Sequence, residues 1–300
     1  MRTGALTCLI LASLALWPLQ GLGLEAKDNT LRWQGREFAV KFSADIEASR
    51  QQALLQDWIA FTTQSLGEVL GRWPRDSQEV VVTPVSASGS DPIPWAQVNR
   101  GATDRVEFYI AAGASPEQLR VAWTSYHELA HLLIPYRGWG DAWFSEGLAS
   151  YYQNLMQARS GVLSERAMWQ KLYEGFQRGR AEHAFDGQSL QKVSDGLRQA
   201  GGFMRVYWSG AWYFLAADTR LRMQSGGKLS LDDALEKLNR CCADTPLSVP
   251  DMVDKLDELN RVVLFRPLYE DLIASTAVPP FETIFASLGI SLRSGKVNLQ

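Results

Sequence analysis

The chain has little cysteine, little histidine and no excess of one charge sign. Its 300 residues include three cysteines and three histidines, and 30 basic against 33 acidic side chains give a formal net charge of −3. No basic cluster is present, so nucleic-acid binding is not expected, and the net charge is too weak to attract a polyanion. Cys241 and Cys242 are adjacent, which leaves a vicinal disulfide, two thiols or an intermolecular link open. Two neighbouring sulfurs are poorly placed for one tetrahedral ion, so a zinc site there is not expected.

Long apolar runs are also scarce. The one marked run extends from Ala5 to Leu19 and follows Arg2. A bilayer span needs about 20 apolar residues, so this shorter run predicts a secretory signal peptide over residues 1–23, with an uncleaved anchor as the alternative. We therefore expect a secreted or periplasmic protein with no transmembrane segment in the mature chain.

The remaining composition is that of a globular protein with a sizeable core, since 46% of the residues are hydrophobic and 21% are charged. Apolar patterns predict strands around 32–42, 80–82 and 105–110, a helix within 45–70, and a Gly, Ser and Pro-rich loop over 86–104. Strands that precede and follow helices in this way predict an α+β fold in which a small mixed sheet packs on helices.

The most informative feature is His127-Glu128-Leu129-Ala130-His131, followed by Glu146 in an aromatic segment. Histidines four residues apart on a helix lie on nearly the same face, so both imidazoles can reach one metal ion. Glu128 is placed to take a proton from a metal-bound water, and Glu146 offers a third ligand that leaves one coordination position open. An isolated HExxH also arises by chance, but the downstream acid strengthens the prediction of one Zn²⁺ per chain, held by His127, His131 and Glu146.

Local signals define the helix that carries this motif. Ser115, Pro116 and Gln118 fit an N-cap, a first-turn proline and a capping-box partner. A helix is therefore predicted over 116–133. Only 14 residues separate His131 from Glu146, so we expect a second helix, capped by Asp141, to return Glu146 toward the histidines.

These motifs resemble those of the gluzincin metallopeptidases, most closely the glycyl-aminopeptidase-like or peptidase MA-like group. Met204–Ala211 is similar to the tyrosine-containing segment of that family. The resemblance implies a thermolysin-like zincin catalytic domain followed by an all-helical C-terminal subdomain, without the usual N-terminal β-domain or PDZ domain. It also implies that the Tyr207 hydroxyl stabilises the tetrahedral intermediate, whereas packing among core aromatics is the alternative role.

The predicted organisation has four parts. Residues 1–23 are the signal peptide, 27–118 an N-terminal α/β subdomain, 119–225 the zinc-binding helical region and 226–300 a helical C-terminal subdomain. By the resemblance, strand 105–110 is the edge that aligns an extended peptide by strand addition, with an ordinary sheet strand as the alternative. The family's GxMEN-like segment, which binds a substrate amino group, has no counterpart around 101–108, where Asp104 or Glu107 are the substitutes to consider.

The favoured function is zinc-dependent hydrolysis of a peptide or protein substrate, with the water activated by Glu128. Because the GxMEN-like segment is missing, endopeptidase and aminopeptidase action both stay open. One alternative is a catalytically silent peptidase-like module that binds peptides or proteins, and another is an envelope protein whose aromatic surface binds a partner. The substrate and the oligomeric state do not follow from the sequence.

Overall fold

The computed structural model describes residues 24–43, 46, 51–135 and 140–300. The predicted signal peptide lies outside the described residues. Contacts divide the chain between Leu133 and Ile134 into two compact units, named here the N-terminal unit (24–133) and the C-terminal unit (134–300). The four-part division made from the sequence stays a prediction.

The N-terminal unit contains a six-stranded mixed sheet with the strand order β1-β2-β3-β4-β6-β5. Strands β3, β4 and β6 are parallel to one another, and the other neighbours are antiparallel. The strands are β1 Glu25–Lys27, β2 Thr30–Trp33, β3 Arg36–Phe42, β4 Ser77–Val85, β5 Trp95–Asn99 and β6 Asp104–Ala111. The helices of this unit that lie within 51–133 are α1 Gln51–Leu70, α2 Pro116–Val121 and α3 Trp123–His131.

One face of this sheet forms the core of the unit. Strand β6 buries Val106, Phe108 and Ile110 and keeps the intervening side chains at least partly exposed, as expected for a strand with one solvated face. Trp58 of α1 packs against Phe108 with ring centroids 5.4 Å apart. The buried face therefore lies under helices, which explains why these strand residues are apolar.

Two predictions for this sheet are wrong. Residues 105–110 are not at an edge, because β6 lies between β4 and β5. The outer strand is Trp95–Asn99, inside the predicted loop 86–104, and it pairs antiparallel with β6. Its sequence lacks a run of β-branched residues, so antiparallel pairing with the next strand along the chain, rather than its own propensity, makes this segment extended.

The predicted helix over 116–133 is broken at Ala122, which has an extended backbone with ψ of 118°. The predicted capping box is present, since Ser115 Oγ accepts from Gln118 N and Gln118 Oε1 accepts from Ser115 N. At the break, the buried Tyr126 hydroxyl donates to the Arg120 carbonyl at 2.8 Å. This bond satisfies a carbonyl that the interrupted helix leaves without its usual partner.

The C-terminal unit is mainly helical, and its most extensive helix packing is between α4 and α8. Its elements are α4 Ala142–Arg159, α5 Glu165–Arg180, a 3₁₀ turn His183–Phe185, α6 Leu190–Asp195, α7 Leu197–Ala200, α8 Phe203–Gln224, α9 Leu231–Cys242, α10 Val249–Asn260, α11 Phe265–Ala274, α12 Glu282–Ser287, β7 Ile290–Arg293 and β8 Lys296–Leu299. The adjacent Cys241 and Cys242 at the end of α9 form a disulfide. None of the described helices has the length and apolar character needed to cross a membrane.

The prediction that residues 226–300 are entirely helical is wrong at the end of the chain. Strands β7 and β8 form an antiparallel hairpin around Ser294 and Gly295, whose φ angles are 48° and 72°. Two residues with positive φ make the turn that matches the twist of a tight hairpin. The α+β class itself is confirmed.

Candidate metal centre

The two motif histidines lie together on α3. The ring centroids of His127 and His131 are 5.0 Å apart and the rings are nearly perpendicular. Both side chains are buried, with 5% and 8% of their surface exposed. One ligand atom from each of His127, Glu128 and His131 lies within 4.8 Å of the other two. The four-residue spacing of the histidines, with Glu128 next to His127, therefore brings three potential donors to one place.

The chemistry of this donor set fits zinc. Imidazole nitrogens and a carboxylate oxygen are ligands that Zn²⁺ accepts, and the described part of the chain contains this one cluster of metal-ligating side chains. Glu146 lies on α4 in the C-terminal unit and is not a member of the cluster. Its role as the third ligand stays a prediction from the sequence.

An arginine that sequence reasoning missed holds the end of α3. The Arg100 guanidinium donates to the backbone carbonyl of His131 and to Asp104 Oδ2 at 3.0 Å. Asp104 is 2% exposed and has Arg75 as a second cation at 3.6 Å. A cation is favourable at a helix C-terminus, where carbonyls lack helical donors. Arg100 thus links the segment after β5 to the last residue of the metal-binding helix, and no local pattern reveals this long-range contact.

The structure pairs both suggested substitutes for the missing amino-group ligand with neighbouring side chains. Asp104 binds Arg100 and Arg75 as described. Glu107 accepts hydrogen bonds from Gln97 Nε2 at 2.7 Å and from the Tyr109 hydroxyl at 3.3 Å. These partners give each carboxylate a structural role within the N-terminal unit.

Helix α4, which carries Glu146, begins at the predicted position but is not capped as predicted. Asp141 occupies the N-cap position in the left-handed conformation, with φ of 55°, and its side chain makes no capping bond. Instead, Ser194 Oγ on α6 accepts from Trp143 N at 3.2 Å. Trp143 is fully buried and packs edge-on against Tyr213 at 5.4 Å. The start of α4 is therefore fixed by tertiary contacts.

Helices α4 and α8 meet backbone to backbone at two glycines. A Cβ atom at Gly147 would lie 2.3 Å from Gly210 Cα, and one at Gly210 would lie 1.9 Å from the Trp143 carbonyl oxygen. No side chain fits at either position without moving a helix. Glu146 directly precedes Gly147, and Tyr207 lies about one turn before Gly210. The crossing therefore sets the spacing between the backbones that carry these two side chains.

Tyr207 is more exposed than the aromatic residues Tyr213 and Phe214 on the same helix. Tyr213 and Phe214 are fully buried against α4, where Phe214 lies 5.0 Å from the Phe144 ring. Tyr207 is partly exposed, and its ring contacts Phe203 at 6.2 Å between centroids. Tyr213 and Phe214 thus pack in the core, and the catalytic role of Tyr207 stays a prediction.

A buried ionic network connects α4, α8 and α9. Asp218 Oδ1 accepts from Arg222 Nε at 2.9 Å, and Asp218 Oδ2 accepts from the Tyr151 hydroxyl at 3.1 Å. Arg159 pairs with Asp232 at 2.8 Å. Burial raises the pKa of the Asp218 carboxyl, and the charge of Arg222 opposes that rise. The network ties the helix of Glu146 to the helix of Tyr207 through groups that are costly to leave unpaired.

A family model matches the part of the chain that contains Glu146 and Tyr207. The family model of the M61 glycyl aminopeptidase matches residues 139–216. This range contains all of α4 and most of α8, including Glu146 and Tyr207, but not the two histidines. No curated protein sequence matches the chain.

Solved structures match most of the chain. An aminopeptidase N family protein from Idiomarina loihiensis has a TM-score of 0.61 at 15% identity, covering 90% of this chain and 49% of that one. The fold of the chain is therefore similar to that of an aminopeptidase N family protein. A variant of an M1 zinc metallopeptidase from Deinococcus radiodurans, bound to a Tyr-Ser-Ala substrate, has a TM-score of 0.52 at 16% identity, covering 84% and 51%. The chain thus spans about half the length of these structures, and the predicted zincin-type fold is confirmed.

Proposed function

We propose that this protein is a zinc-dependent peptidase. The observation that carries the proposal is the cluster of His127, Glu128 and His131, whose ligand atoms lie within 4.8 Å of one another on one helix. The fold similarity to an aminopeptidase N family protein and the family match over α4 and α8 support it. Each of these residues has a defined role in peptide hydrolysis.

His127, His131 and Glu146 would hold the zinc. When bound, zinc polarises a substrate carbonyl and lowers the pKa of its water toward about 7. The Glu128 carboxylate takes the proton of the attacking water and passes it to the leaving amine, as a general base and then a general acid. The Tyr207 hydroxyl donates a hydrogen bond to the carbonyl oxygen as negative charge develops there.

We propose that the substrate is an extended peptide aligned by strand β5. Among the described residues, β5 has β6 as its one strand neighbour, and it packs against α3. Backbone groups on the other side of an outer strand can pair with an added strand. The strand-addition role predicted for 105–110 is therefore reassigned to Trp95–Asn99.

The proposed location is outside the cytoplasm. The apolar run from Ala5 to Leu19 supports export, and the Cys241–Cys242 disulfide is of a kind that persists in oxidising compartments. N-terminal sequencing of the protein recovered from an exporting host tests this. A mature start near residue 24 supports export with cleavage. A retained Met1 on protein in the membrane fraction supports the uncleaved anchor, and a retained Met1 on cytoplasmic protein contradicts export.

The decisive experiment compares wild type, His131→Ala and Glu128→Gln for zinc content and for hydrolysis of peptides with free or acetylated N-termini. We expect one zinc per wild-type chain and its loss in His131→Ala. Glu128→Gln should keep zinc and lose hydrolysis by about 10²–10⁴-fold, because it removes the proton acceptor.

Each outcome of this comparison has a distinct meaning. Cleavage of acetylated peptides indicates endopeptidase action, and a requirement for a free amino group indicates aminopeptidase action. Zinc binding without turnover in the wild type supports the silent binding module. Absence of zinc after reconstitution, or equal turnover by Glu128→Gln, contradicts the proposed mechanism.

A further inference from the structure

Two aromatic side chains stay about half exposed beside residues of the proposed site. Trp123 is 48% exposed, and its ring contacts the His127 ring edge-on with centroids 5.6 Å apart. Phe203 is 46% exposed, and its ring contacts the Tyr207 ring edge-on at 6.2 Å. Both pairs have the edge-to-face geometry and spacing at which aromatic rings attract each other.

The two pairs arise in the same way. Trp123 is the first residue of α3 and lies four positions before His127, and Phe203 is the first residue of α8 and lies four positions before Tyr207. Residues four apart share a helix face. Trp123, His127 and His131 therefore form a row along one face of α3, and Phe203 extends the row of Tyr207 by one turn.

Exposure of these rings has an energetic cost in the free protein. Leaving a large aromatic side chain in water forgoes the gain of burial, which scales with apolar area. Single exposed apolar residues are common on protein surfaces, but both of these contact a ring that the proposed function places at the reaction. Binding of a peptide would cover them, and apolar walls with a few polar groups are typical of ligand sites.

We propose that Trp123 and Phe203 determine specificity by contacting large apolar or aromatic side chains of the peptide next to the scissile bond. The inference rests on the proposed function, since that function places the scissile bond near His127 and Tyr207. The matching family model is named for a glycyl aminopeptidase. A preference for glycine beside the scissile bond would contradict the proposed preference for large side chains.

The expected size of the effect follows from general binding energetics. Apolar contacts in a substrate pocket change kcat/KM by about 10–200-fold per group. Because each ring is already in contact on one side, we expect the low end of this range. Wild type should cleave peptides with phenylalanine beside the scissile bond about tenfold better than matched peptides with alanine.

The test uses internally quenched peptides of one length that differ at the two positions flanking the cleaved bond, which carry phenylalanine, leucine, alanine or glycine. At one flanking position, Trp123→Ala should reduce the ratio of kcat/KM for phenylalanine over alanine peptides to near one. Phe203→Ala should have the same effect at the other flanking position. Trp123→Phe should retain most of the preference. Leu54→Ala on α1 and Met223→Ala on α8 are the matched controls, because both side chains are similarly exposed and should leave the preference unchanged.

A second readout separates this inference from the proposed function. Binding of uncleavable peptides to Glu128→Gln protein, measured by calorimetry, should also favour phenylalanine over alanine at each flanking position. In that background, Trp123→Ala and Phe203→Ala should each remove the difference at one position. If wild type cleaves peptides but prefers glycine or alanine, or keeps its preference in both alanine variants, the specificity proposal fails alone. If wild type cleaves nothing, the proposed function fails, and the binding comparison still decides the role of the two rings. Trp123→Leu serves in place of Trp123→Ala should the latter not fold.

Discussion

Replacing Gly210 with alanine tests whether the crossing of α4 and α8 sets the geometry of the site. The added Cβ would lie 1.9 Å from the Trp143 carbonyl oxygen and 2.7 Å from Gly147 Cα. Ordinary contact begins near 3.4 Å, so the helices must separate by about 1.5 Å. Overpacking of this kind costs about 1–3 kcal/mol of stability. A displacement of about 1 Å among catalytic groups can lower activity about 100-fold.

The assay measures the free energy of unfolding by urea denaturation and kcat/KM per folded, zinc-loaded molecule. We expect Gly210→Ala to lose about 2 kcal/mol and about 100-fold in kcat/KM, because the backbones of Glu146 and Tyr207 move apart. Gly113→Ala is the control, since a Cβ there meets no atom within 4 Å. Wild-type stability and activity in Gly210→Ala would refute the reasoning, and lost stability with full activity would show that the crossing supports the fold but not the site.

Three further predictions address single contacts. Tyr207→Phe should lower kcat by about 10²–10³-fold with unchanged zinc content, and an unchanged kcat would return Tyr207 to a packing role. Arg100→Ala should lower the free energy of unfolding by about 3 kcal/mol, because the buried Asp104 loses its closest cation. It should also weaken zinc binding in a chelator competition, because the His131 carbonyl loses a donor. Wild-type values in both assays would contradict this prediction. Asp257→Ala should cost about 2 kcal/mol, since its carboxylate accepts three backbone N–H bonds at the start of α11, and a melting temperature equal to wild type would exclude this capping role.

The parts of the site that depend on neighbours along one helix follow from the sequence. Residues four apart share a helix face wherever a helix forms, so the pairing of His127 and His131 needs no knowledge of the rest of the fold. The capping box of Ser115 and Gln118 is equally local. These features are confirmed because their physics operates within one turn of helix.

The parts that depend on contacts beyond one helical turn do not follow from the sequence. The break at Ala122 accompanies a bond between the hydroxyl of the buried Tyr126 and the Arg120 carbonyl. Strand β5 is extended because it pairs with β6, although its own composition resembles a loop. The close approach of Gly147 and Gly210 is signalled in the sequence only by glycines inside helical patterns, which do not identify their partner.

Because of the buried ionic network, helices α4, α8 and α9 can be replaced by those of a related protein only together. Asp218 and Asp232 balance Arg159 and Arg222, and these four groups come from α4, α8 and α9. A chimera that took α4 from a relative without an equivalent of Arg159 would leave the carboxylate of Asp232 without its cation, which is strongly unfavourable. Exchange of all three helices together would keep the charges matched. Divergence in this part of the protein therefore has to proceed by concerted substitutions, so that pairs rather than single positions are expected to change between related chains.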